Sequence, residues 1–81
     1  MDDAALYNRL KAVRAQRGLT QADLAEAVGV SRKTINTVEN RVFIPSTILA
    51  LKLAQALDCP VSELFALDPF GPDTDSAENG G

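Results

Sequence analysis

Apolar residues recur at helical spacing along most of this chain, and each run is bounded by residues that start or stop a helix. Leu6, Leu10 and Val13, with Ala5 and Tyr7 nearby, form a 3.6-residue stripe across residues 5–17, with cations on the other faces. Gly18 suits the left-handed position that ends such a helix. Thr20 is a good N-cap and Asp23 stands three residues on, a near capping box, so a second helix is predicted over Gln21 to Val28. Its inward residues are Leu24, Ala25 and Val28. Gly29 permits a positive φ at the next turn, Val30 fills the turn interior, and Ser31 caps a third helix that runs to Asn40. There Ile35 and Val38 mark the buried stripe and leave Arg32, Lys33, Asn36 and Thr37 facing outward.

After a loop, RVFIP, closed by Pro45, Ser46 or Thr47 caps a fourth helix from Thr47 to Leu57, apolar most of the way round and therefore buried on more than one side. Asp58-Cys59-Pro60 breaks it, and Pro60 suits the first turn of a fifth helix, PVSELFAL. From Asp68 the composition shifts to Pro, Gly, Asp and Ser. No segment reads as a strand and none repeats. The prediction is an all-α, compact body of five short helices over residues 1–67, followed by an acidic flexible tail over residues 68–81.

Composition narrows the chemistry. Hydrophobic residues make up 46% and charged residues 23% of 81 residues, which is globular, and four aromatics without Trp leave the core to Leu, Val, Ile and Ala. Histidine is absent and Cys59 is alone, which removes the commonest general base and any His/Cys metal cluster within one chain. Gly18 and Gly29 stand apart, so no phosphate-cradling loop is present. No catalytic residue, cofactor site or metal site is expected, and the chain does not read as an enzyme. A lone cysteine reads as a small hydrophobe in a reducing compartment. No run approaches the ~20 apolar residues of a membrane span and no signal peptide is legible, so a soluble cytoplasmic protein is expected.

The charge distribution changes the picture more. Formal net charge is -3, yet all eight basic residues lie between positions 4 and 57 with only Asp23, Glu26 and Glu39 among them, a surplus of five. The other eight acids sit at the two ends. A basic middle is what a phosphate-contacting surface requires. Two of those cations, Arg32 and Lys33, open the third helix, where the positive end of the macrodipole makes them unfavourable. An external anion as their counterion explains that placement.

The segment TQADLAEAVGVSRKTINTVEN joins two short helices by a tight turn, A-x-x-x-G-V-S, in which small Ala25 allows a close crossing. Together with RLKAVRAQRGL before it, IPS, and LALKLAQAL-x-x-PVSELF after it, this segment strongly resembles the Xre/Cro/phage-repressor helix-turn-helix family over about 70% of the chain, Asn8 to Phe65. The resemblance implies a five-helix, lambda-repressor-like DNA-binding domain with the helix-turn-helix at helices 2 and 3. It implies a recognition helix at Ser31–Asn40, with Arg32, Lys33 and Thr37 aimed at base edges and Asn36 nearby. Gln21, Ser31 and Asn40 would contact phosphate, and Arg14 and Glu39 would form an internal ion pair.

Some positions depart from the family pattern. Arg41 stands where Gly commonly follows the Glu-Asn pair, so a left-handed backbone with a side chain is expected there, its charge in reach of a phosphate. Ile48 replaces a usual polar residue, marking either an exposed apolar site for a partner or a slightly rotated helix. Asp58 replaces a frequent Gly. One such motif spans too few base pairs for genomic specificity, which implies a homodimer on a near-palindromic operator. Leu64, Phe65, Leu67 and Phe70 are the expected interface, although Leu64 and Phe65 also suit the monomer core. The function implied is a sequence-specific transcriptional regulator of the repressor type acting on double-stranded DNA. The alternative is an antitoxin-type protein that binds a toxin and its own operator.

Overall fold

The computed structural model describes residues 6–70. Its elements are β1 (Tyr7–Asn8), α1 (Leu10–Gln16), α2 (Gln21–Val28), α3 (Arg32–Glu39), α4 (Thr47–Ala56), α5 (Val61–Leu64) and β2 (Phe65–Ala66). Every helix contributes a fully sealed side chain to one core: Leu10, Leu24, Ile35, Leu53 and Leu64, joined by Leu57 at the end of α4. Burying a side chain of this kind contributes roughly 1.5–3 kcal/mol. Among the described residues this core is wholly apolar, and the one well-covered ion pair, Arg14 with Glu39, is not part of it. No helix among the described residues is long and apolar enough to cross a membrane.

The helix starts follow the caps. Thr20 and Asp23 complete a capping box: the Thr20 Oγ1 accepts from the Asp23 N–H at 2.9 Å, and the Asp23 carboxylate accepts from the Thr20 N–H at 3.0 Å. Ser31 caps α3 and Ser46, not Thr47, caps α4. The helix ends share one device. At the ends of α1, α3 and α4 the chain turns through a left-handed residue, Gly18, Arg41 and Asp58 respectively. In each case the N–H two residues past the helix cap reaches back to a carbonyl in the last turn: Leu19 to Arg14, Val42 to Thr37, Cys59 to Ala54.

The expectation of no strand is corrected by β1 and β2, and with it the bounds of the first and fifth helices and the place of Pro60. The first helix begins at Leu10, not Ala5, because residues 7–8 are extended and pair antiparallel with β2, Tyr7 opposite Ala66 and Asn8 opposite Phe65. The Asn8 Oδ1 accepts from the Leu10 N–H at 3.0 Å, and the Arg9 N–H donates to the Leu64 carbonyl at 2.9 Å. Both amides thereby find partners without an additional helical turn. For the same reason the fifth helix stops at Leu64; Phe65 adopts φ -130 and ψ 143 and enters the small sheet. Pro60 takes the position just before α5, not its first turn. Ala5, and the expected tail from residue 71 onward, lie outside the described residues.

Candidate nucleic-acid interface

The turn between α2 and α3 is built as its residues dictate. Ala25 is buried, and its carbonyl accepts from both the Gly29 and Val30 N–H groups, at 2.9 and 3.0 Å. Gly29 holds φ 78, and a Cβ added there would meet nothing within 4 Å. Its requirement is therefore the backbone angle, not space. The crossing sets α3 across α2, with Ile35 and Val38 beneath and Arg32, Lys33 and Asn36 toward solvent.

A polar cluster at the back of α3 fixes its position. Arg14 of α1 meets Glu39 of α3, with Nε to Oε2 at 2.6 Å and Nη2 to Oε1 at 3.3 Å. The same guanidinium donates to the Leu19 carbonyl at 2.8 Å. Gln21, the first residue of α2, donates its side-chain amide to Glu39 at 3.0 Å. Three helices are therefore tied at one carboxylate, whose side chain is 3% exposed. The electrostatic consequence reaches the surface. Glu39 is the only acid between Glu26 and Asp58 in sequence, and with it covered, Arg32 and Lys33 on the outer face of α3 form no ion pair among the described residues.

Arg32, Lys33 and Asn36 lie exposed on that face, and among the described residues the side chains of Arg32 and Lys33 form no hydrogen bond or ion pair. Thr37 is half-buried, and its hydroxyl donates to the Thr34 carbonyl at 2.9 Å. Ser31 accepts from the Thr34 N–H and lies 3.0 Å from the Thr34 hydroxyl. Asn40 donates its amide to the Asn36 carbonyl at 2.9 Å, closing the end of α3. Arg41, at φ 61, lays its guanidinium over the Tyr7 ring, 4.1 Å from the centroid. Gln21 keeps one amide hydrogen and the N–H of the first helical turn for an outside acceptor.

The residues expected at a dimer face separate. Leu64 is fully buried and Phe65 is 9% exposed in the chain's own core, whereas Leu67 is 71% exposed. Phe70 is half-buried, with the Arg9 guanidinium 5.5 Å from its ring centroid. Ile48 is 68% exposed, so the apolar site on α4 is open and the helix is not rotated to hide it.

Three supporting residues escaped the sequence reading. Asn8 donates to the Val38 carbonyl at 2.9 Å and so holds the end of α3 from β1. Arg17 donates to the Leu57 carbonyl at 2.9 Å, closing the end of α4. Tyr7 is the platform for Arg41. Asn8 carried a usable signal, since Asn is a preferred residue at a helix start and poor inside one. Arg17 and Tyr7 carried none.

Comparison with known proteins agrees with this geometry. The helix-turn-helix family model matches residues 10–64. The helix-turn-helix-type transcriptional regulator YgzD of Bacillus subtilis, itself uncharacterised, is 38% identical over 63 residues, 78% of this chain and 96% of that protein. The crystal structure of the restriction-modification controller protein C.AhdI from Aeromonas hydrophila superposes with a TM-score of 0.65 at 38% identity, covering 68% of this chain and 83% of the other. The antitoxin HipB of Escherichia coli O6:H1 is 38% identical over 53 residues, 65% of this chain and 56% of that protein. With the turn, the core and the exposed helix all in place, this chain belongs to the Xre/Cro-like helix-turn-helix family of DNA-binding transcriptional regulators, which are not enzymes.

Proposed function

We propose that this protein is a cytoplasmic, sequence-specific repressor that binds a near-palindromic operator as a homodimer, with α3 in the major groove. The observation that carries the reading is the exposed cationic face of α3, unpaired among the described residues and positioned from behind by Arg14, Gln21 and Glu39. The major groove admits one α-helix, and an Arg fork on guanine O6 and N7 is worth roughly 1–3 kcal/mol of discrimination. The dipole penalty of a cation at a helix N-terminus, about 0.3–1 kcal/mol, is smaller. Arg32, Lys33, Asn36 and Thr37 meet base edges in this reading. Gln21, Ser31, Asn40 and Arg41 meet phosphates and fix the register.

Selection of bound duplexes from a random pool, at stated salt, tests this. Wild type should yield a short near-palindrome. Arg32→Ala should relax preference at one base per half-site, whereas Gln21→Ala should weaken all sites about equally. Equal shifts in preference from both variants would overturn the division of roles.

A second reading, an antitoxin that binds a toxin and its own operator, draws on the likeness to HipB and on the apolar side chains open on α4, Ile48 and Leu51. It requires that this chain relieve growth arrest by a neighbouring reading frame. It further requires that Ile48→Asp abolish that relief while operator binding persists.

A further inference from the structure

Alongside α3 runs an apolar groove that the cationic face does not account for. The chain leaves α3 through the left-handed Arg41, and the Val42 and Phe43 N–H groups both donate to the Thr37 carbonyl, at 2.9 and 3.2 Å. Those two bonds lay Val42 and Phe43 back against the recognition helix. Between them is an open groove of about 360 Å³, lined by Ser31, Lys33, Thr34, Thr37, Val42 and Phe43. Val42 is 77% and Phe43 47% exposed, so both offer apolar surface at the mouth.

Three hydroxyls line this groove, and all are already engaged. Thr37 donates to the Thr34 carbonyl, while Thr34 and Ser31 share a contact at 3.0 Å and Ser31 also accepts from the Thr34 N–H. The hydroxyls keep acceptor lone pairs beyond these bonds, and each threonine also carries a γ-methyl group that can meet an apolar feature of a ligand. The groove is therefore bordered by two apolar side chains and three hydroxyl-bearing ones beside the outer face of α3, with Lys33 as its single cationic residue. In the major groove of DNA the apolar feature on a base edge is the C5-methyl group of thymine.

We propose that this groove receives the C5-methyl group of one thymine per half-site. Thr37, Val42 and Phe43 then determine specificity by apolar contact, not by hydrogen bonding. The inference rests on the duplex-binding reading above and names the base chemistry of part of that surface.

Deoxyuridine tests it directly, because uracil differs from thymine only by the methyl group. Each thymine of the selected operator is replaced in turn, and affinity is measured for the wild type. One replacement per half-site should weaken binding about fourfold, the loss expected for a single buried methyl group. Thr37→Ser, which deletes the γ-methyl and keeps the hydroxyl, and Val42→Ala should each shrink that ratio toward one at the same position. Preference at the position read by Arg32 should not change in either variant. Val42 is exposed and Thr37 half-buried, neither belongs to the core, and thermal melting confirms that the variants fold.

A flat uracil scan in a protein that binds its operator would overturn the groove assignment and leave the duplex-binding reading intact. Undiminished methyl sensitivity in Thr37→Ser and Val42→Ala would overturn it as well. So would a Val42→Asp variant that changes oligomeric state with base preference intact, since the groove would then serve a protein. Failure to bind any duplex at low salt would defeat both readings together.

Discussion

At the scale of single residues, a left-handed backbone under a side chain costs about 1–2 kcal/mol, and this chain accepts one at Arg41 and another at Asp58. Arg41 offsets part of that by stacking on Tyr7, an exposed cation–π contact worth roughly 0.5–1 kcal/mol. Arg41→Ala keeps the strained angle and loses the ring, so urea unfolding should show a loss of about 0.5–1 kcal/mol. Arg41→Gly relieves the strain as it loses the ring and should unfold within about 0.5 kcal/mol of wild type. Equal losses in the two variants would show that strain is not the governing term. Asp23 behaves differently because its partner is a backbone N–H. That bond from Thr20, and then the Thr20 hydroxyl, hold its carboxyl below the ordinary range near 3.8. A folded-state pKa below the unfolded one means that the capping box is at full strength above the ordinary carboxylate range. The contribution disappears as pH falls through the lowered folded value. Melting temperature measured from neutral to strongly acidic pH should fall less steeply at its acid end in Asp23→Asn.

At the scale of elements, what distinguishes α3 is that its position is set by charge at its back as well as by Ile35 and Val38. Removing one member of a buried pair leaves the other uncompensated, and such losses run to roughly 3–5 kcal/mol. The 13% exposure of the Arg14 side chain places this pair at the lower end. Glu39→Gln should therefore destabilise by about 3 kcal/mol. The double variant Arg14→Met, Glu39→Met should recover much of that loss, because no charge is stranded. If the double variant is as unstable as the single one, the cluster is not held by its electrostatics. The caps of α2, α3 and α4 were legible because each is a short-range contact: Thr20 with Asp23, Ser31 with Thr34, Ser46 with Leu49. The start of α1 was not, since the stripe through Leu6 and Leu10 fits a longer helix until Asn8 meets Phe65.

At the scale of the whole molecule, β1 and β2 join the first described residues to the last, and Asn8 joins that pair to the carbonyl of Val38 in α3. Leu67 leaves β2 directly into solvent. A dimer formed there would couple to the recognition helix through one hydrogen bond and two strand residues. Leu67→Asp should therefore shift sedimentation from dimer to monomer and weaken operator binding at low protein concentration. The monomer's own melting should hardly move, because Leu67 takes no part in the core. A variant that stays dimeric would place the interface elsewhere.

Sequence alone determined the three central helices, the turn at Gly29 and the cations at the head of α3, because caps, periodicity and φ preference act within a few residues. The resemblance it carried was enough for the family. Only the tertiary structure decided which polar groups meet across the chain. Asn8 reaches Val38 and Arg17 reaches Leu57 over separations of 30 and 40 residues, whereas the Arg14–Glu39 pair, 25 residues apart, was expected from the family resemblance and not from any local preference. Packing also brought Val42 and Phe43 alongside Thr37, turning a loop into part of the surface that faces DNA in our proposal. Contacts between distant residues depend on how helices stack, and no local preference encodes that.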